Sequence, residues 1–237
     1  MTEPFNFVLV HGAWHGGWCY ARVRRRLAAQ GHCVFTPTLT GLGERSHLMS
    51  GDINLDTHIT DVVNVIKWEN LHDIVLCGHS YGGWIISGVA EQMLDTVSSI
   101  VFLDAYMPDD GDSGQKIGSA SSREGIAKAL ASGAISRPGP SAKDFMVADA
   151  DDQAWVDSKT TQQPLGVSLQ PIKLTGARDR VPKKTYILAE TYNSPNFRRY
   201  YERCVADSSW TTYTVPCGHD VMVDMPDRLA EILLEVA

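Results

Sequence analysis

The chain has 237 residues, 43% hydrophobic and 21% charged, with a formal net charge of -7. That size and balance suit one globular core with room for an inserted subdomain. The acidic charge argues against a nucleic-acid partner, and no apolar run is long enough to span a membrane.

No basic leader precedes the first apolar run, so a cytoplasmic protein is expected. The cysteines at 19, 33, 77, 204 and 217 are scattered and lack Cys-x-x-Cys spacing. They read as reduced thiols, with neither a disulfide framework nor a metal site.

Phe5 to Val10 is a strand-length apolar run without polar alternation, as a parallel strand buried on both faces requires. It leads into His11-Gly12-Ala13-Trp14-His15-Gly16-Gly17-Trp18, where glycines let backbone approach a ligand. Cys19 to Gln30 reads as a helix stopped by Gly31, and Cys33 to Thr36 as a second strand. Leu55 to Trp68 carries Ile59, Val62, Val63 and Ile66 at helical spacing. Asp73 to Cys77 is a third strand, Trp84 to Ala90 a helix, and Val97 to Leu103 a fourth strand. From Pro108 the composition turns to Gly, Ser, Asp and Ala, with helix-like pieces at Glu124 to Ala131 and Ala142 to Asp157. Ile172 to Thr175 is expected to restore the strand pattern, Lys184 to Tyr192 to be helical, and Thr212 to Val215 to form the last strand. Pro226 opens a terminal helix. The alternation predicts an α/β fold: a mostly parallel sheet of about six strands with helices on both faces. Residues 1–107 and 171–237 form its core, and 108–170 an inserted cap.

Gly78-His79-Ser80-Tyr81-Gly82 lies between the third strand and its helix. Gly-x-Ser-x-Gly alone is a weak pattern, but at a strand-to-helix turn it is a nucleophile elbow. The turn lifts the serine hydroxyl clear of the backbone and aims the amide of Tyr81 at a developing oxyanion. A serine needs a base, and the base an orienting carboxylate. His219, in Gly218-His219 after the last strand, is the candidate base. Two aspartates compete for the acid: Asp179, expected after the Ile172 strand, and Asp104, after the Val97 strand. Asp179 is preferred, because its loop is short and polar and Pro182 limits the chain just beyond it. Ala13 is the candidate second oxyanion amide. His11 is expected to fix that loop. Trp14, Trp155 and Met107 are candidate substrate contacts, although core burial is the stronger account of such residues.

These segments, with Thr175-Gly176-Ala177-Arg178-Asp179, resemble the α/β-hydrolase superfamily, in the branch of plant methylesterases, hydroxynitrile lyases and small bacterial esterases. The resemblance implies an enzyme without a cofactor. It assigns Ser80 as nucleophile, His219 as base, Asp179 as acid, and the amides of Ala13 and Tyr81 to the oxyanion. The lyases carry a lysine after the histidine and a threonine in the oxyanion loop; here Asp220 and Gly12 stand there. The expected activity is hydrolysis of carboxylic esters of small, partly aromatic acids. Amide or carbamate hydrolysis, a lyase and a non-catalytic receptor remain as alternatives. The expected partner is a small-molecule ester, and a homodimer stays open.

Overall fold

The computed structural model describes residues 4–237. In chain order come β1 (Asn6–Val10), α1 (Ala21–Ala29), β2 (Cys33–Phe35), α2 (Leu55–Trp68), β3 (Ile74–His79), α3 (Gly82–Met93) and β4 (Val97–Leu103). Smaller elements follow: α4 (Gly114–Ile117), α5 (Ala120–Ala131), β5 (Ser136–Arg137), α6 (Ala150–Asp157), β6 (Gln163–Pro164) and α7 (Gly166–Leu169). The chain then runs through β7 (Lys183–Ala189), α8 (Pro195–Val205), β8 (Trp210–Val215), α9 (Val221–Asp224) and α10 (Pro226–Glu235). The main sheet has the order β2-β1-β3-β4-β7-β8, and every neighbouring pair is parallel. β5 and β6 form a separate antiparallel ribbon with Arg137 opposite Gln163.

The central strands β1, β3 and β4 are almost entirely buried because both of their faces are covered, while the edge strands β2 and β8 are partly exposed. Alternate residues feed two cores. Val8, Val10, Leu76, Ile100, Phe102 and Leu188 pack with α2, α3 and α8. Phe7, Leu9, Val75, Val101, Leu103 and Ile187 pack with α1 and α10. Asn54 closes a capping box on Thr57 and so fixes the start of α2. Pro226 opens α10, as the sequence predicts. No helix among the described residues is long and apolar enough to cross a membrane.

The fifth expected strand is displaced. Residues 172–175 pair with no strand of the sheet, and Lys183–Ala189, expected as part of a helix, is β7. Thr185-Tyr186-Ile187-Leu188 is β-branched and aromatic and can be buried on both sides, whereas Lys173 interrupts the shorter Ile172 run. The displacement moves Asp179. It precedes β7 and so lies at the amino end of a parallel strand, opposite the edge where Ser80 leaves β3. One expected helix is shortened, and one helix forms where the sequence reading assigned no element. Of the expected Ala142 to Asp157 helix only α6 forms, capped by Asp149. The segment around Asn193 to Tyr201 holds most of α8, with Ser194 as its cap and Pro195 in its first turn.

Candidate active site

Ser80 follows β3 with φ of 54°, in the left-handed region that a non-glycine residue adopts only under constraint. Its surroundings supply the constraint. A Cβ on Gly78 would come within 2.6 Å of the Gly82 carbonyl oxygen, and one on Gly82 within 2.7 Å of the Val10 carbonyl oxygen. The turn can close only with glycine at both positions. The Ser80 N–H donates to the Leu103 carbonyl (3.2 Å), and the Ser80 carbonyl accepts from Gly83 (3.2 Å) and Tyr106 (3.1 Å). Such strained residues cost about 1–3 kcal/mol each and persist where the structure around them over-determines them.

His219 enters after β8. A Cβ on Gly218 would lie 2.2 Å from the Met146 carbonyl oxygen, so the chain passes that loop at contact distance. The His219 N–H donates to the Phe145 carbonyl (2.9 Å). Its ring lies stacked against Tyr192 (4.4 Å between centroids) and Phe197 (5.4 Å), with His79 at 4.4 Å. Its Nδ1–H donates to Asp104 Oδ2 over 2.6 Å. Asp104 is fully buried, has φ of 42°, and accepts a second bond at Oδ1 from the Ala189 N–H (3.2 Å). The carboxylate that holds the imidazole is therefore Asp104, at the end of the strand beside β3. Asp179 is 60% exposed beside Arg178 Nε (3.7 Å), away from the cavity that Ser80 and His219 line. The expectation for Asp179 fails because its strand was placed in the wrong segment.

With Nδ1 donating to Asp104, Nε2 is left to take a proton in that cavity. Burial pushes the His219 imidazole down to about 4, so it is neutral near pH 7, as a base must be. Burial also raises the Asp104 carboxyl, and the Ala189 N–H offsets part of that.

The loop after β1 is held by its histidines. His11 Nδ1–H donates to the Gly12 carbonyl (2.8 Å), and Nε2 accepts from the Leu39 N–H (3.0 Å), so this ring is neutral and positional. Both nitrogens of His15 face acceptors: Ala13 O (2.8 Å) and Asp220 Oδ2 (3.1 Å). Only an imidazolium satisfies both. Burial works against that charge, but Asp220 and the Ala13 carbonyl outweigh it, and His15 is raised. Burial likewise opposes the Asp220 charge, but His15 outweighs it and holds the carboxyl down at about 2. This pair, missed by the sequence reading, ties the loop after β1 to the residue after His219. The amides of Ala13 and Tyr81 have no acceptor among the described residues, and both residues line the cavity. The Tyr81 hydroxyl donates to His58 Nδ1 (3.1 Å), while His58 Nε2–H donates to the Thr40 carbonyl (2.8 Å).

The cavity has a volume of about 340 Å³. Ser80, His219, Ala13, Tyr81 and Trp14 all line it. Met107 and Trp155 do not. Met107 is buried in the core with its sulfur 3.7 Å from Cys204 Sγ. Trp155 sits edge-on to Trp18 (5.1 Å) with the Arg22 guanidinium 5.4 Å from its ring centre, packing α6 on α1. Both were apolar residues near the right segments, and the sequence carries no signal that separates core from pocket. Trp155→Ala is expected to lower unfolding stability by roughly 1–3 kcal/mol and leave the relative rates on different esters unchanged. Denaturant titration and an ester panel on the same variant check this.

The buried histidines set an acid limit. His11 is lowered to about 3, and His58 and His219 to about 4, all chiefly by burial. In the unfolded chain each takes up a proton near 6.5, so between about pH 6.5 and 4 the unfolded state binds more protons. Stability therefore falls with pH across that window, by up to roughly 1.4 kcal/mol per pH unit for each histidine. His15 has the opposite sign: its contribution is present below 6.5 and is lost as pH rises through its raised value. Circular dichroism against pH should show unfolding beginning in that window. Wherever the protein stays folded, kcat/KM should show no inflection near 6.5.

The sequence of the alpha/beta hydrolase family matches residues 7–232. A carbendazim-hydrolysing esterase of Nocardioides sp. (strain SG-4G) is 40% identical over 238 residues, covering 96% of this chain and 98% of that protein. Methylesterase 1 of Arabidopsis thaliana is 35% identical over 106 residues, 44% of this chain and 40% of that protein. Among solved structures, an extracellular α/β-hydrolase from a Paenibacillus species superposes with a TM-score of 0.85 at 23% identity, over 99% of both chains. At that identity the likeness shows the fold. With the family matched over nearly its whole length, the chain belongs to the alpha/beta hydrolase family.

Proposed function

We propose that this carboxylic-ester hydrolase works through an acyl-enzyme on Ser80. His219 takes the Ser80 proton as the hydroxyl oxygen attacks the ester carbonyl, and Asp104 holds the resulting imidazolium. The amides of Ala13 and Tyr81 receive the oxyanion. His219 then gives its proton to the departing alcohol. Finally it activates the water that releases the acid and frees Ser80. The observation that carries the reading is the 2.6 Å bond from His219 Nδ1 to Asp104, which leaves Nε2 for the cavity that Ser80 also lines.

Trp14, Tyr106, Phe145 and Phe197 give that cavity an aromatic lining, which suits a small ester with an aromatic acid or alcohol. Amides and carbamates remain within the reach of the same triad. Residues 108–170 are read as a cap inserted in the core formed by 1–107 and 171–237. That reading is supported by Gly118, Ser122, Arg137 and Gln163, which line the cavity together with Ser80. Asp220, where the lyases carry a lysine, is fully buried in its pair with His15 and supplies no cation for a leaving cyanide.

The test is a panel of esters varied separately in acid and alcohol, with Ser80→Ala as the blank. Turnover that persists in the blank would contradict the reading.

A further inference from the structure

One residue of the cavity has no role in the mechanism above. Arg137 is the only lining residue with a permanent charge among the described residues; no Asp, Glu or Lys lines the cavity. Arg137 belongs to β5 and lies opposite Gln163 of β6, which also lines the cavity. Its guanidinium lies over the Trp14 ring, 4.7 Å from the centroid, and the Trp14 indole N–H donates to its carbonyl (3.3 Å). The cation is thus steadied by a residue of the oxyanion loop.

No carboxylate among the described residues pairs with Arg137. Its Nε is buried without an acceptor, and its one side-chain bond is a long one, 3.4 Å from Nη2 to Ser122 Oγ. Gln163 repeats the pattern. Its Oε1 accepts the Trp14 N–H (2.9 Å), and its Nε2 is buried without an acceptor. Buried donors are nearly always satisfied, so two unsatisfied ones on paired residues of one ribbon call for an acceptor from outside the chain. The cation calls for more than an acceptor. Arg137 is half-buried and its pKa is lowered by that burial; the Trp14 ring offsets part of the cost, and an anion would offset the rest.

We propose that Arg137, with Gln163 beside it, selects esters that carry a carboxylate remote from the reacting carbonyl. The proposal rests on the esterase reading. A carboxylate presents two oxygens in the plane of the guanidinium fork and can take a further bond from an amide N–H. A neutral amide of the same shape meets the hydrogen-bonding need and leaves the charge unpaired. The acyl chemistry at Ser80 is the same for both, so the preference appears as a ratio between two substrates.

The test compares monomethyl terephthalate with its neutral isostere, methyl 4-carbamoylbenzoate. The wild-type enzyme should favour the anion in kcat/KM by about tenfold or more. Arg137→Gln should bring the ratio to within about twofold, while kcat/KM on the neutral ester stays within about threefold of wild type. Arg137→Lys, which keeps the charge and loses the fork, should retain part of the preference. A wild-type ratio near one overturns the proposal. So does an equal loss on both esters in a folded Arg137→Gln protein, which would mean that Arg137 only supports Trp14. Calorimetric binding of both esters to Ser80→Ala separates this claim from the mechanism. The anion preference in binding should persist there without turnover. Equal binding of the two would overturn the selectivity claim alone, whereas turnover independent of Ser80 would overturn the mechanism alone.

Discussion

Ser80→Ala is expected to lower kcat for ester hydrolysis by about 10⁴-fold or more, which is about 5.5 kcal/mol of lost transition-state stabilisation. The loss is this large because the substitution removes the atom that forms the bond in the proposed mechanism. On the proposed mechanism, what remains comes from binding and from the amides of Ala13 and Tyr81, which Ser80→Ala leaves in place. The fold should survive the change. Alanine takes the same strained φ of 54° at a similar cost, and the hydrogen bonds that fix the turn are made by the Ser80 backbone. Steady-state kinetics on one good ester, with circular dichroism as the control for folding, measures the loss.

Asp104→Asn is expected to lower kcat by roughly several hundred-fold or more, with the fold retained. The carboxylate accepts from two donors, His219 Nδ1–H and the Ala189 N–H. An asparagine keeps the shape but can aim its NH₂ at Nδ1. Nδ1 must then accept, the ring proton moves to Nε2, and the nitrogen facing the cavity is no longer a base. In one well-studied triad the equivalent change cost about 10⁴ in kcat. Asp179→Asn should change kcat by less than about threefold, because Asp179 is 60% exposed and its ion pair with Arg178 is long. Losses ranked the other way, in two folded proteins, would contradict the geometry of the site.

Most of the sheet and two residues of the candidate site were legible because they follow local rules. Val97–Leu103 and Leu55–Trp68 have the bounds their periodicity predicts. Ser80 was legible because its two flanking glycines fall within five positions, although the contact that requires Gly82 comes from the Val10 carbonyl on the neighbouring strand. The acid was not legible, since it depends on which strand lies beside β3 and where β7 begins. Ile172 to Thr175 and Thr185 to Leu188 are both short enough to read as a strand, Lys173 is the one local mark against the first, and packing between β4 and β8 selects the second. Once β7 is placed at Lys183–Ala189, its carboxyl end carries Glu190, which is exposed; of the buried carboxylates at that edge Asp220 is paired with His15, and Asp104 is the one that bonds His219. The pair of His15 with Asp220 spans 205 positions and joins two loops, so spacing could not have suggested it. Arg137 and Gln163 come together through a two-residue ribbon too short to leave a pattern in the sequence.

The central claim is that ester hydrolysis passes through a covalent bond to Ser80. Labelling the wild-type protein with a fluorophosphonate and mapping the adduct by peptide mass spectrometry tests it most directly. The account predicts one adduct per chain, on the peptide that contains Ser80, with turnover lost in proportion to labelling and no label on Ser80→Ala. An adduct on another residue, or full ester turnover by a protein labelled at Ser80, would contradict it.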